Sequence, residues 1–114
     1  YDVLGLLQRV TEWWAGKPLL LRSPGWPVLR RWWLTQEPEC QVCGRRTSLV
    51  VHHVLPVHAY PELELDGENL MTLCEGAVNC HLLFGHLYRW RSWNGDVRAD
   101  VRQWRRKREL RPEA

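Results

Sequence analysis

Four cysteines and four of the five histidines fall in one stretch of the chain, and their spacing suits metal chemistry. Cys40-x2-Cys43, followed by Gly44, has the form of a zinc-knuckle turn, in which backbone N–H groups support two thiolates. Cys74 and Cys80 form a second pair with five residues between them, wider than the common two to four, but a glycine-bearing loop can bulge and return Cys80 to the same ion. Four thiolates around one centre suit structural Zn²⁺. Disulfides or buried free thiols are the alternatives, and a reducing compartment disfavours the first. Such an ion would tie the helix–strand junction to the second strand, adding folding energy to a small core.

His52 and His53 lie in a Val-rich run, Ser48 to His53, that reads as a β-strand. Neighbouring strand residues point to opposite faces, so one imidazole can hold a metal ion while the other accepts a proton. His58 follows in a Pro-bearing loop without an assigned role. His81 comes directly after Cys80, with His86 beyond it.

The elements that must position these groups are short. Asp2 to Ala15 reads as an amphipathic helix, stopped by Gly16 and Pro18. A second helix is expected from Pro27 to Gln36, with Val28/Leu29 and Trp32/Trp33 turned inward and Arg30 and Arg31 outward. Asn69 to Leu73 is a second apolar strand that can pair with the first. His81 to Trp90 suits a helix weakened by Gly85, and Asp96 to Leu110 a last helix with Val97, Val101 and Trp104 as its apolar stripe. Eight tryptophans against one phenylalanine suggest a core filled by a few large rings. The expected fold class is α+β.

Charge is unevenly placed. No Lys or Arg occurs from Thr47 to Tyr88, whereas Arg89 to Arg111 holds nine basic residues against three acidic ones, within a net charge of +3. A concentrated basic tail is the footprint of a phosphate-backbone partner, and a solvated helix face is the plainer explanation. No run of about 18 apolar residues is present, so no membrane span is expected. The opening Tyr1-Asp2-Val3-Leu4 lacks the order of a secretory signal, so a cytoplasmic location is expected.

Cys40-x2-Cys43, Val51-His52-His53-Val54-Leu55-Pro56, Glu68-Asn69-Leu70-Met71-Thr72-Leu73-Cys74 and Asn79-Cys80-His81 together resemble the HNH endonuclease family with its four-cysteine zinc site. Trp26-Pro27-Val28-Leu29-Arg30-Arg31 and Phe84-Gly85-His86 resemble a bacterial and phage-borne branch of it. The resemblance spans Pro24 to Asn94. It implies a ββα-metal core at 24–94, with residues 1–23 as a helical extension and 95–114 as a basic helix packed on the core.

The resemblance also implies roles. His52 matches a ligand of a catalytic divalent ion, Mg²⁺ or Mn²⁺, and His81 matches another. His53 matches the general base, and Asn69 the residue that orients it through its side-chain amide. An α-helical turn leaves His86 off the face of His81, so His86 is a ligand, a phosphate contact or neither. Cys40, Cys43, Cys74 and Cys80 match the structural zinc ligands.

The implied reaction is hydrolysis of DNA, double-stranded by expectation, to 5′-phosphate and 3′-hydroxyl ends. Arg89, Arg91, Arg98, Arg102 and Arg105 are the expected phosphate contacts. Trp90, Trp93 and Trp104 are assigned to packing. Nothing resembles a sequence-reading module, and no oligomeric state is specified. The competing readings are a catalytically silent zinc knuckle that binds nucleic acid or protein, and a Trp-rich interaction domain. Neither explains why His52, His53, Asn69 and His81 occur together.

Overall fold

The computed structural model describes residues 22–110. The helix expected over Asp2 to Ala15 and the basic residue Arg111 lie outside them. In chain order the regular elements are α1 (Trp26–Gln36), β1 (Leu49–His53), β2 (Leu70–Cys74), a π-helical turn (His81–Gly85) and α2 (Val97–Leu110), with short 3-10 turns at Pro61–Leu63 and Gly67–Asn69. The fold is α+β, as expected.

The two strands pair antiparallel, with Leu49 opposite Cys74, Val51 opposite Thr72, His52 opposite Met71 and His53 opposite Leu70. Five-residue strands in a two-stranded ribbon are marginal alone, so both faces must be covered. Alternation divides them. Val51 and Leu70 pack with Trp26, Leu29, Trp33 and Leu34 of α1. On the other face Met71 and Leu73 join Val97 and Val101 of α2, Val42 of the knuckle and the buried cysteines.

Trp26 is the buried tryptophan among the described residues, and the rest of the core is Val, Leu, Met and Cys. The expectation of a ring-filled core is therefore corrected. Val28 and Trp32, expected inside, are 62% and 54% exposed. The inward stripe of α1 runs instead through Trp26, Leu29 and Trp33, which the 3.6-residue period places on one face. Trp104 is also largely exposed, edge-on to Phe84.

Polar groups lock α1 to the sheet. Trp33 Nε1 donates to the Thr72 hydroxyl and to Glu37 Oε2, both at 3.1 Å. The Thr72 hydroxyl donates to the Glu37 carbonyl at 2.8 Å, and Thr72 N–H donates to Glu37 Oε2 at 2.9 Å. At the start of the helix no side chain caps the backbone; Gly25 precedes it and a proline occupies the first turn, where no N–H is needed.

The long link between strands is clamped by Asn69. Its Oδ1 accepts from Leu55 N–H at 2.9 Å, and its Nδ2 donates to the carbonyls of Leu55 and Leu63 at 3.0 and 3.4 Å. Two charged side chains of α2 lie along the zinc knuckle: Arg105 and Arg108 donate to the carbonyls of Gln41 and Val42. Arg98 donates to the carbonyls of Glu68 and Leu70 at the end of the sheet.

Thr72 is fully buried, and its hydroxyl both accepts from Trp33 and donates to Glu37. Thr72→Val keeps the volume but strips the Glu37 carbonyl and one Trp33 bond of their partner. It is expected to lower the unfolding free energy by about 1–3 kcal/mol, read by urea denaturation of zinc-loaded protein with an unchanged m-value.

Candidate functional site

The cysteines close one end of the sheet. Cys40 N–H donates to the Arg45 carbonyl at 2.8 Å and Gly44 N–H to the Cys40 carbonyl at 2.8 Å, forming the knuckle turn. Gly44 takes φ 76°, a left-handed conformation that suits glycine. Gln41 N–H donates to the Thr72 carbonyl at 3.0 Å, docking the turn on β2. None of the cysteines is in a disulfide, and the four Sγ atoms lie within 4.8 Å of one another.

Cys43 and Cys74 Sγ are 3.7 Å apart. A tetrahedron with Zn–S near 2.3 Å has edges of about 3.8 Å, so the cage fits zinc. The thiols need such a cation. Burial pushes the Cys80 thiol up, and charge on Cys40, Cys74 and Cys43 adds to that. Burial also raises Cys74, but the backbone N–H groups of Cys80 and Gly76 outweigh it and bring it to about 7.

The histidines gather at the other end. His52, His81 and His86 offer ring nitrogens within 4.8 Å of one another. His81 Nδ1 is 2.7 Å from Glu75 Oε1, and His86 Nδ1 is 2.7 Å from the Ser92 carbonyl. Both oxygens accept, so each Nδ1 carries a proton and Nε2 is the atom that each ring turns towards the cluster. The two Nε2 atoms face each other at 3.2 Å. That separation suits an Nε2–H···Nε2 hydrogen bond when one ring is protonated, and it equally suits two imidazoles on one ion, which at about 2.0–2.1 Å from the metal stand about 3.0–3.4 Å apart.

His52 completes the case for a metal. It is 1% exposed, and neither ring nitrogen has a hydrogen-bond partner. Burial drives its pKa well below the ordinary value, reinforced by His81 and His86. A buried, neutral, partnerless imidazole aimed at two oriented neighbours is costly as a packing residue and apt as a ligand. Trp90 walls the cluster, with ring centroids 5.0 Å from both His81 and His86.

His86 joins the set because residues His81–Gly85 form a π-helical turn. In an α-helix a side chain five residues on lies about 140° round, whereas the wider π turn brings it back over the start. Asn79 begins this segment, its side chain accepting from Leu82 N–H at 2.9 Å and its carbonyl from Leu83 N–H at 2.9 Å. Asn94 ends it, donating to the Phe84 carbonyl and to Asp100 Oδ2 at the head of α2.

Alternation sends His53 the other way. Its ring lies tilted by 38° against Trp26 with centroids 4.5 Å apart, Nε2 lies 2.8 Å from the Glu64 carbonyl, and Nδ1 lies 3.5 Å from Arg22 Nη1. The carbonyl accepts, so Nε2 carries the proton and Nδ1 the lone pair. Burial, and then the Arg22 charge, lower its pKa to about 4 against the pull of the Glu64 carbonyl.

Asn69 does not act on the His53 ring as expected. Its amide is committed to Leu55 and Leu63, holding the loop that presents the Glu64 carbonyl. Of the expected phosphate contacts, Arg89, Arg91, Arg102 and Arg105 are exposed. Arg98 and Arg105 also reach backbone carbonyls of the core. His58 meets Trp93 edge-on at 5.8 Å.

Four contributors have no assigned role in the sequence reading. Glu75, beside Cys74, is the detectable one, a carboxylate in the loop that leads to His81. Ser92 and Glu64 act through backbone carbonyls, which side-chain patterns cannot reveal. Gly85 counted as a helix weakener, but it backs the His52 ring: a Cβ there would lie 2.9 Å from His52 Cε1 and 3.0 Å from Nε2.

Four cysteines and three histidines on one small sheet thus form two groups that could each hold a metal ion. Residues 40–85 match the family model described as HNH endonuclease, which bears out the resemblance over the segment from the knuckle to the π turn. No curated protein and no solved structure matches the chain. Among the described residues no helix is long and apolar enough to cross a membrane.

Gly85→Ala is expected to displace His52 and weaken binding of Mn²⁺ or Ni²⁺ to zinc-loaded protein by about 10- to 100-fold, with the cysteine-bound zinc retained. Calorimetric titration with elemental analysis reads both. Burial of His53 also sets a pH dependence. Its folded pKa of about 4 lies below the ordinary 6.5, so on acidification the unfolded chain protonates first. Its share of stability is constant above pH 6.5 and falls as pH drops from there towards 4, by at most about 3 kcal/mol. His53→Gln should flatten the unfolding free energy between about pH 7 and pH 5 relative to wild type.

Proposed function

We propose that the chain is a metal-dependent endonuclease that hydrolyses phosphodiester bonds in DNA. The observation that carries this reading is His52, enclosed without a partner against two imidazoles whose Nδ1 atoms are already committed. His52, His81 and His86 would hold a divalent ion, Mg²⁺ or Mn²⁺ in the cell. When bound, such an ion supplies positive charge for a non-bridging phosphate oxygen and for the departing 3′ oxygen.

His53 is the general base in this reading. The Glu64 carbonyl holds Nε2–H and thereby fixes the tautomer with Nδ1 as acceptor. Asn69 is a positioning residue one step removed, through the loop that carries Glu64. A pKa of about 4 makes His53 neutral but weakly basic at pH 7. An approaching phosphodiester would offset the Arg22 charge beside Nδ1 and raise that basicity. Arg89, Arg91 and Arg102 would take phosphates flanking the cut, which makes binding salt-dependent. Cys40, Cys43, Cys74 and Cys80 would hold a zinc ion that ties the knuckle to β2, a closed structural site apart from the reacting groups.

The burial of His53 against Trp26 is the one feature that instead suits a nucleic-acid-binding module without catalysis. Nicking of supercoiled plasmid separates the two. Wild type with Mg²⁺ or Mn²⁺ is expected to nick, and His53→Ala with its zinc retained is expected to lose at least about 100-fold in rate. Zinc-loaded wild type that binds DNA but nicks with neither ion would overturn the endonuclease reading in favour of the binding module.

A further inference from the structure

The loop that leaves the histidine cluster has features that metal binding does not require. Leu87 and Tyr88 both take left-handed backbone, with φ 53° and 70°. Side chains other than Gly, Asn and Asp resist that region, and neither residue recovers the cost by burial: they are 54% and 70% exposed. Leu87 does no more than edge a shallow groove beside Phe84 and Trp104. A strained, exposed Leu-Tyr pair beside a candidate active site points to a ligand.

The loop is also stiff. Its base is closed by His86 Nδ1 to the Ser92 carbonyl at 2.7 Å and by Asn94 N–H to the Gly85 carbonyl at 3.0 Å. Within it Tyr88 N–H donates to the Leu82 carbonyl, Arg89 N–H to the His86 carbonyl and Ser92 N–H to the Arg89 carbonyl. The contact that closes the loop therefore also orients His86. Arg89 and Arg91 are exposed on the same loop, and no acidic residue occurs from Gly76 to Gly95. An exposed aromatic residue next in sequence to two exposed arginines, in a stretch without acidic residues, matches a nucleic-acid strand.

We propose that this loop docks a strand whose bases are unstacked, with Tyr88 stacking on a base and Arg89 and Arg91 holding the adjacent phosphates. A base can offer its face to the phenol ring only when it has left the helical stack. The preferred substrate is therefore a single strand or a duplex opened near the cut, which narrows the duplex-DNA expectation. The inference rests on the nucleic-acid part of the proposed function and is independent of cleavage.

The test uses full-length, zinc-loaded protein carrying His53→Ala, so that nothing is cut. Fluorescence anisotropy follows binding to a labelled single-stranded DNA and to a blunt duplex of the same sequence across a salt series. Tighter binding of the single strand is expected. Tyr88→Asn, which suits left-handed backbone, should leave the melting temperature equal or higher yet weaken single-strand binding about tenfold, with the salt slope unchanged. Tyr88→Phe should bind like the parent, and Arg89→Ala should lower the salt slope by about one phosphate contact.

Equal binding of the parent and Tyr88→Asn to the single strand overturns the proposal, as does a preference of the parent for the duplex. Plasmid nicking by protein with His53 intact is scored separately. Nicking together with Tyr88-independent binding removes the docking loop and leaves the nuclease. Tyr88-dependent binding without nicking supports the docking loop and removes the nuclease.

Discussion

The enclosed imidazole of His52 is the constraint from which the rest of the site follows. Two ring nitrogens without partners at 1% exposure would destabilise a core of this size if they only filled space. The neighbours are arranged so that the ring's polarity is used. Gly85 lets the backbone pass against its edge, the π turn swings His86 into place, and Glu75 and the Ser92 carbonyl orient the other two rings. Loosening any of these leaves a buried polar ring unanswered.

The sheet separates two kinds of metal chemistry. Its register puts Cys74 opposite Leu49 at one end and His53 opposite Leu70 at the other. A metal held by the four cysteines at the first end would brace a ribbon too short to stand alone, and the second end gathers the three imidazoles. The last helix serves both ends, with Arg105 and Arg108 on the knuckle and Arg98 on the carbonyls beside Asn69 and β2. Its basic character thus has a structural share that charge counting alone does not disclose.

Much of this architecture is legible in the residues. The strands fall within one residue of where their apolar runs put them, the four-cysteine set follows from Cys spacing, and His52 and His81 come together as the family resemblance implies. What resists reading has a physical cause in each instance. The face of α1 was ambiguous because apolar residues lie on both sides of it, so Val28 and Trp32 look as core-like as Leu29 and Trp33. His86 depends on a change of helical pitch, and the pitch depends on Asn79 and Asn94, whose side chains hold backbone groups across the turn. Asn69 is recognisable as important, yet it reaches the His53 ring through a loop and a carbonyl, a route that residue identity does not encode.

The central claim is that one chain holds two chemically different metal sites, one all sulfur and one all nitrogen, and Co²⁺ titration of metal-free protein followed by absorption tests it most directly. The account predicts a first equivalent with intense thiolate-to-metal charge-transfer bands and tetrahedral d–d bands. A second equivalent should then bind without further charge transfer, and His52→Ala should abolish that second step alone. A single binding step, or a second step that survives His52→Ala, would contradict it.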